Sequence, residues 1–245
     1  KQNKLTIVAT DLDIIFYDEI SEIKILKEGS TTTSAAVLYD ILRKISSNTE
    51  LNFDLKTENK LSLKSDNLDF NLLCLPVDNF PTFSDNFTSQ EININNNQFL
   101  RLLNKTRISI SNDDTRHYLN GVFLHVTEAN GRNFLTGVAT DSHRLSSSSL
   151  EIENTSDFSP IILPRKAVFQ LCSLLAENSE QLKIQTSENK IKFRIGNIKL
   201  TSKVIDGKFP DYKKVVPIAN DKTLIVSSKD FVSSIERVTS VSLDG

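Results

Sequence analysis

This chain repeats itself, and that constrains its folding more than any other feature. Leu5-Thr6-Ile7-Val8-Ala9-Thr10-Asp11 returns 130 positions later as Leu135-Thr136-Gly137-Val138-Ala139-Thr140-Asp141, with six of seven residues identical. At the same separation Thr57-Glu58-Asn59-Lys60-Leu61-Ser62-Leu63 faces Ser187-Glu188-Asn189-Lys190-Ile191-Lys192-Phe193. Asp78-Asn79-Phe80-Pro81 faces Asp206-Gly207-Lys208-Phe209-Pro210, with the prolines 129 positions apart after a single-residue indel. A third copy opens near the end, where Gln98-Phe99-Leu100 is echoed by Asp230-Phe231-Val232. Matches in a fixed order predict tandem copies of one fold. Residues 1–89 form the back of copy one, 90–220 all of copy two, and 221–245 the opening of copy three. An intact parent would hold three domains in on the order of 390 residues. On this reading both ends are cut, and a start at Lys1 with no Met anywhere points to trimming.

Within copy two the periodicity predicts two helices among short strands. Gln98 to Lys105 sets Phe99, Leu102 and Leu103 on one face and Gln98, Arg101 and Lys105 on another. Pro164 and Arg165 open a second helix with the stripe Val168, Leu171, Cys172 and Leu175, and Asn178 closes it. Strands are expected over 122–127, 133–139, 182–186, 190–195 and 199–205, separated by turn dipeptides such as Asn130-Gly131 and Gly196-Asn197. Copy one repeats the second half, with Ala35, Leu38, Ile41, Leu42 and Ile45 as the buried stripe of its helix. The class is therefore α+β, with antiparallel sheets and few helices.

Composition excludes several functions. A net charge of −2 with 24% charged residues is that of an ordinary globular protein and argues against tight, sequence-specific DNA binding. No run approaches the roughly 18 apolar residues of a membrane span, and the first residues have no signal-peptide core, so a cytoplasmic location is expected. Cys74 and Cys172 lie in apolar segments without CxxC spacing and read as small buried hydrophobes. His117, His125 and His143 have no metal-ligand spacing, and there is no glycine-rich phosphate loop. No metal or cofactor is expected. Thr140-Asp141-Ser142-His143-Arg144 is the one compact cluster that could suggest nucleophilic catalysis. Neighbours along a strand diverge, however, whereas a triad must converge. Copy one also keeps Thr10-Asp11 but continues Leu12-Asp13-Ile14, which predicts that Thr-Asp holds a turn in each copy. The reading is of a non-enzyme.

The charges divide by element. Exposed helix positions carry Arg43 and Lys44, Arg101 and Lys105, Arg165 and Lys166, with Lys229 to Arg237 as a further helix. Acidic residues, including Asp11, Asp13, Glu19, Asp85, Glu91, Glu151 and Asp157, fall in strands and turns. The expectation is a basic helical face, which would meet a polyanion through its phosphates, and an acidic sheet face. Ordinary solvated helix faces are the alternative.

Copy two resembles the middle domain of the bacterial DNA sliding clamp family, the beta subunit of DNA polymerase III. The resemblance rests on Arg116-His117-Tyr118-Leu119-Asn120-Gly121, Ala139-Thr140-Asp141-Ser142-His143-Arg144-Leu145, Leu163-Pro164-Arg165-Lys166 and Ser202-Lys203-Val204-Ile205-Asp206-Gly207-Lys208-Phe209-Pro210-Asp211-Tyr212. It implies the DNA clamp fold, and a homodimeric ring of three-domain subunits with helices lining the hole and sheets outside. Such a ring would encircle duplex DNA without reading its sequence and confer processivity on the replicative polymerase. Arg116, His117 and Tyr118 match the family's DNA-facing loop, with His117 where Tyr is common. Leu119, Thr140, Ser142, His143, Arg144, Leu145, Pro210, Lys214 and Val215 match its peptide-binding cleft. Ser142 replaces a usual Gly there, and Lys214 a frequent Arg. That cleft implies polymerase, clamp-loader and mismatch-repair partners. Phe70 and Leu72 match the dimer interface. A clamp-derived adaptor that binds peptides without forming a ring is the competing reading.

Overall fold

The computed structural model describes residues 3–83, 86–87, 89–153 and 158–241; Asp85 and Asp157 lie outside the described residues. The chain forms two compact units, Lys1–Phe209 and Pro210–Gly245.

In the first unit the repeat is realised element by element. Copy one contributes β1 (Leu5–Thr10), β2 (Ile14–Ile20), α1 (Ala35–Leu42), β3 (Asn52–Thr57), β4 (Lys60–Ser65) and β5 (Leu68–Leu73). Copy two contributes β6 (Ile92–Ile94), α2 (Asn96–Thr106), β7 (Gly121–Ala129), β8 (Arg132–Thr140), β9 (Leu145–Ile152), β10 (Ile161–Pro164), α3 (Arg165–Glu177), β11 (Leu182–Thr186), β12 (Lys190–Ile195) and β13 (Ile198–Lys203). The bounds of β4 and β5 reappear in β12 and β13 displaced by 130 residues.

All pairings are antiparallel, in sheets ordered β1-β2-β13-β12-β11-β6, β10-β7-β8-β9 and β3-β4-β5. Copy two is thus two interleaved halves: β6 crosses into the sheet of the second half, and β10 returns to that of the first. Helices α2 and α3 pack together beneath these sheets. Asn95 caps α2 by accepting from the Gln98 N–H, and the Asn96 amide donates to the carbonyls of Leu175 (3.2 Å) and Asn178 at the far end of α3. The core between helices and sheets holds Phe99, Leu102, Leu103, Leu171, Leu175, Leu182, Ile184 and Phe193, each at most 1% exposed.

One strand escapes the periodicity argument. β9 reads Leu-Ser-Ser-Ser-Ser-Leu-Glu-Ile, and hydroxyl pairs hold it: Ser149 with Thr136 (2.8 Å), Thr136 with Thr127 (2.8 Å), and Ser146 with Ser109 (2.7 Å). Such cross-strand hydroxyl bonds stabilise a strand that side-chain hydrophobicity does not announce.

The α1 stripe departs from expectation. No α1 side chain is buried; Leu38 and Ile41 lie half-buried against Leu61, Leu72 and Cys74, while Leu42 is exposed. The α1 residues Leu38 and Ile41 pack on the small cluster of the three-stranded sheet, whereas α3 packs on α2 as well as on strands. Both cysteines are buried and unbridged.

The sheet common to both copies crosses the expected boundary near residue 89. β2 of copy one pairs with β13 of copy two, with Phe16 opposite Leu200 and Ile14 opposite Ser202. In the second unit a single helical turn, Tyr212–Lys214, precedes α4 (Ser228–Thr239), which starts at the Ser227 cap. None of its side chains is buried.

Candidate functional site

Charge compensation separates the two kinds of surface. The outward face of the six-stranded sheet is not acidic, contrary to expectation: alternation along β11 to β13 puts Lys183, Lys190, Lys192, Arg194, Lys199 and Lys203 there. Several of these charges are met within the chain. Glu91 pairs with Arg194 (2.8 Å) and Lys183 (3.5 Å), and Asp13 with Lys203 (3.2 Å). On the other strands Lys4 pairs with Glu19, Lys64 with Asp69 and Arg132 with Glu151.

On α2 and α3 the solvent-facing cations are Arg101, Lys105 and Arg165, with Arg107 directly after α2. No carboxylate among the described residues pairs with any of these four. Arg101, Lys105 and Arg165, expected on a basic helical face, are thus exposed without a carboxylate partner among the described residues, and the half-buried Arg107 shares that lack of a partner. Its sequence signal, a basic residue at the helix C-cap, was available but lay outside the periodic window.

Two other expected members are compensated. Arg43 pairs with Asp40 (2.9 Å), and Lys166 pairs with Asp11 across the two copies. Burial would raise the Asp11 pKa, but Lys166 and the backbone N–H groups of Ile14 and Asp13 outweigh it and hold it at about 2. Lys44 is exposed beside Arg43.

A second constellation forms where three segments of copy two meet. The helical turns of Asp114–Leu119 lead into β7, and Gly121 is needed because a Cβ there would sit 2.3 Å from the Leu163 carbonyl oxygen. The Asn120 carbonyl accepts from the Arg165 N–H (2.9 Å), tying this segment to the start of α3. The β8–β9 turn carries Thr140 to Leu145. Its Thr140 hydroxyl donates to the Arg144 carbonyl (2.7 Å) and accepts from the Ser142 N–H (3.1 Å). The Asp141 carboxylate accepts from the N–H groups of Arg144 (2.9 Å) and His143 (3.0 Å) and from Arg144 Nε (3.0 Å). Those backbone bonds, led by Arg144, hold its pKa at about 2.

This turn is copied in copy one. Thr10 donates to the Ile14 carbonyl (2.8 Å), and Asp11 accepts from the N–H groups of Ile14 (2.8 Å) and Asp13 (3.0 Å). The shared Thr-Asp pair holds the same turn twice, so what distinguishes copy two is what the turn presents: exposed Ser142, His143 and Arg144 and a half-buried Leu145.

The structure redistributes the remaining expected residues. Arg116, expected to face DNA, is bound to Asp113 through Nε (2.9 Å) and Nη2 (2.8 Å) and donates from Nη1 to Ser142 Oγ (2.7 Å). Its charge is met locally, and the bond joins it to the turn. Thr115 first, and then Arg116, hold the Asp113 carboxyl below its ordinary value. His117 and Tyr118 stand edge to face, 5.8 Å apart, beside Gly207, whose φ of +139° favours glycine. Leu119, expected in the cleft, is 2% exposed. Pro210, Lys214 and Val215 belong to the second unit, where all three are exposed and Lys214 pairs with Asp211 (3.2 Å). Phe70 is half-buried, and Leu72, 5% exposed, fills the copy-one core; what β5 leaves open is its backbone edge.

Comparison with known proteins agrees with this architecture. Residues 1–84 match the family model for the DNA polymerase III beta subunit N-terminal domain, and residues 93–211 the model for its central domain. The beta sliding clamp of Caulobacter vibrioides is 35% identical over 245 residues, covering 99% of this chain and 65% of the relative. That of Escherichia coli K12 is 33% identical over 220 residues, covering 90% and 59%. A crystal structure of the Caulobacter crescentus beta sliding clamp, with polyethylene glycol at its beta-motif tethering region, superposes with a TM-score of 0.96 at 34% identity, covering 100% of this chain and 65% of that one. A Bartonella birtlesii sliding clamp bound to griselimycin gives 0.93 at 36%, with the same coverage. The chain thus spans just under two thirds of the length of these relatives.

Tandem α+β copies with sheets continuous across the copy boundary and packed helices beneath define a protein of the DNA clamp fold. The chain belongs to the bacterial DNA polymerase III beta subunit family, the beta sliding clamps.

Proposed function

We propose that this chain is the greater part of one subunit of a DNA sliding clamp, which encircles duplex DNA without reading its sequence and confers processivity on the replicative polymerase. One observation carries the reading: Arg101, Lys105 and Arg165 on α2 and α3, with Arg107 just after α2, are four cations that no described carboxylate neutralises, while strand cations are widely paired. Uncompensated charge on rigid helices attracts phosphates without fixing a register, which suits sliding. Arg101, Lys105 and Arg165 carry this role, with Lys44 just after α1; the compensated Arg43, Lys166 and Arg116 contribute less, and His117 and Tyr118 follow Arg116.

Ring closure has support in the sheet edges. β5 is the counterpart of β13, and β9 of β2; β13 and β2 pair, while β5 and β9 each end a sheet. Open antiparallel edges are templates for pairing. In a complete homodimer β5 would take an edge of the other subunit, placing Phe70, the counterpart of Leu200, in the contact and Leu72 behind it.

The turn bearing Thr140, Ser142, His143, Arg144 and Leu145 is the proposed docking site for short peptide motifs of polymerase, clamp-loader and repair proteins. Leu119 supports it from the interior. Pro210, Lys214 and Val215 are named for this role by the family resemblance alone. The site of action is the bacterial cytoplasm, at replication forks.

The test has two arms. A complete subunit should be retained on circular duplex and run off the same DNA once linearised; equal loss from both forms would overturn the ring. Titration with griselimycin, which the Bartonella relative binds, should weaken at least about tenfold in His143→Ala/Arg144→Ala and not in Arg101→Ala/Lys105→Ala. The reverse pattern would overturn the assignment of the two sites.

A further inference from the structure

Helix α3 exposes one aromatic residue. Phe169 lies on the solvent side of α3, 41% exposed, among polar neighbours. The guanidinium carbon of Arg107 sits 5.2 Å from its ring centroid, and that of Arg165 5.5 Å. Two cations from the end of one helix and the start of the next therefore share one ring, and their charges lie within about 11 Å of each other. Arg165 stands one helical turn before Phe169. A guanidinium stacked on an aromatic face keeps its N–H edge open and loses rotational freedom before any ligand arrives. Two like charges held together without a carboxylate are complementary to an anion.

We propose that Arg107, Phe169 and Arg165 form a preorganised clamp for neighbouring phosphates of one DNA strand, with Phe169 as the positioning residue. This rests on the reading of the helical face as a DNA contact, and adds Arg107 and Phe169 to it. Successive phosphates advance about 3.4 Å along the axis per strand, so the spacing admits two of them. Guanidinium forks match phosphate oxygens in pairs, which makes the contact directional while leaving it blind to base sequence.

The experiment is fluorescence anisotropy of the chain on a labelled mixed-sequence duplex across a potassium chloride series. Arg107→Gln and Arg165→Gln should each lower the slope of log affinity against log salt by about 0.9. Phe169→Leu keeps bulk and net charge and should still weaken binding about three- to tenfold. Circular dichroism establishes that each variant is folded. If Phe169→Leu and Arg107→Gln bind as the parent does while Arg101→Gln and Lys105→Gln weaken binding, the clamp is overturned and the helical face stands. If none of the five changes the affinity, the helical face falls too.

Discussion

Leu12 and Ser142 stand 130 positions apart and hold the same backbone conformation, with φ of +79° and +78°. Each follows a Thr-Asp pair whose side chains close the turn with the same hydrogen bonds. The turn thus forces a left-handed residue into both copies, and neither copy supplies a glycine. A bulky side chain in that region costs about 1–2 kcal/mol.

Leu12→Gly should therefore raise stability by about 1 kcal/mol, read as a higher urea midpoint, because Leu12 is 57% exposed and contributes little packing. Ser142→Gly should gain less, since it forfeits the bond from Arg116. A larger gain at Ser142 than at Leu12 would show that this bond has no energetic weight.

Asp141 gives the turn a pH dependence. Its pKa is lowered from 3.8 to about 2, so its contribution to stability is complete above the ordinary value and is lost as pH falls towards 2. The stability difference between the parent and Asp141→Asn should be largest above pH 4 and should close as pH falls below it, followed by denaturant titration at each pH. A gap independent of pH would assign the loss to altered geometry.

Lys166 and Arg165 are neighbours in sequence with different electrostatic surroundings. Lys166→Gln should let the Asp11 carboxyl rise from about 2 towards 3.8, visible by carbon-detected NMR titration. It should change the salt dependence of DNA binding less than Arg165→Gln, because Asp11 already neutralises Lys166.

Asn96 joins α2 to the end of α3 and is 3% exposed. Asn96→Ala leaves the buried Leu175 carbonyl and the part-buried Asn178 carbonyl without their donor and should cost about 1–3 kcal/mol in chemical denaturation. A change within experimental error would mean that water replaces the amide.

The helices and most strands of copy two were legible because their apolar residues recur at 3.6 or 2 positions and their ends carry Pro, Asn or Gly. β9 was not, since its strand character resides in hydroxyl bonds to β8 and in the Ser109 contact, which no local pattern announces. Among the site residues, the turn role of Thr140-Asp141 followed from comparing the copies. The division of Arg165 from Lys166 did not, because Asp11 lies 155 positions away and meets Lys166 only when the copies associate. The burial of Leu119 was not legible for the same reason: it depends on segments distant in sequence.

The sequence by itself determined that the chain is built from copies of one unit, because duplicated residues impose duplicated local geometry down to a shared turn. Tertiary structure alone decided how those copies interlock, with β6 and β10 exchanged between half-domains and β2 passing into the sheet of its neighbour. It also decided which cations remain uncompensated. Strand partners and ion pairs are chosen by proximity in three dimensions, and a one-dimensional pattern fixes which face a side chain takes but not what stands opposite it.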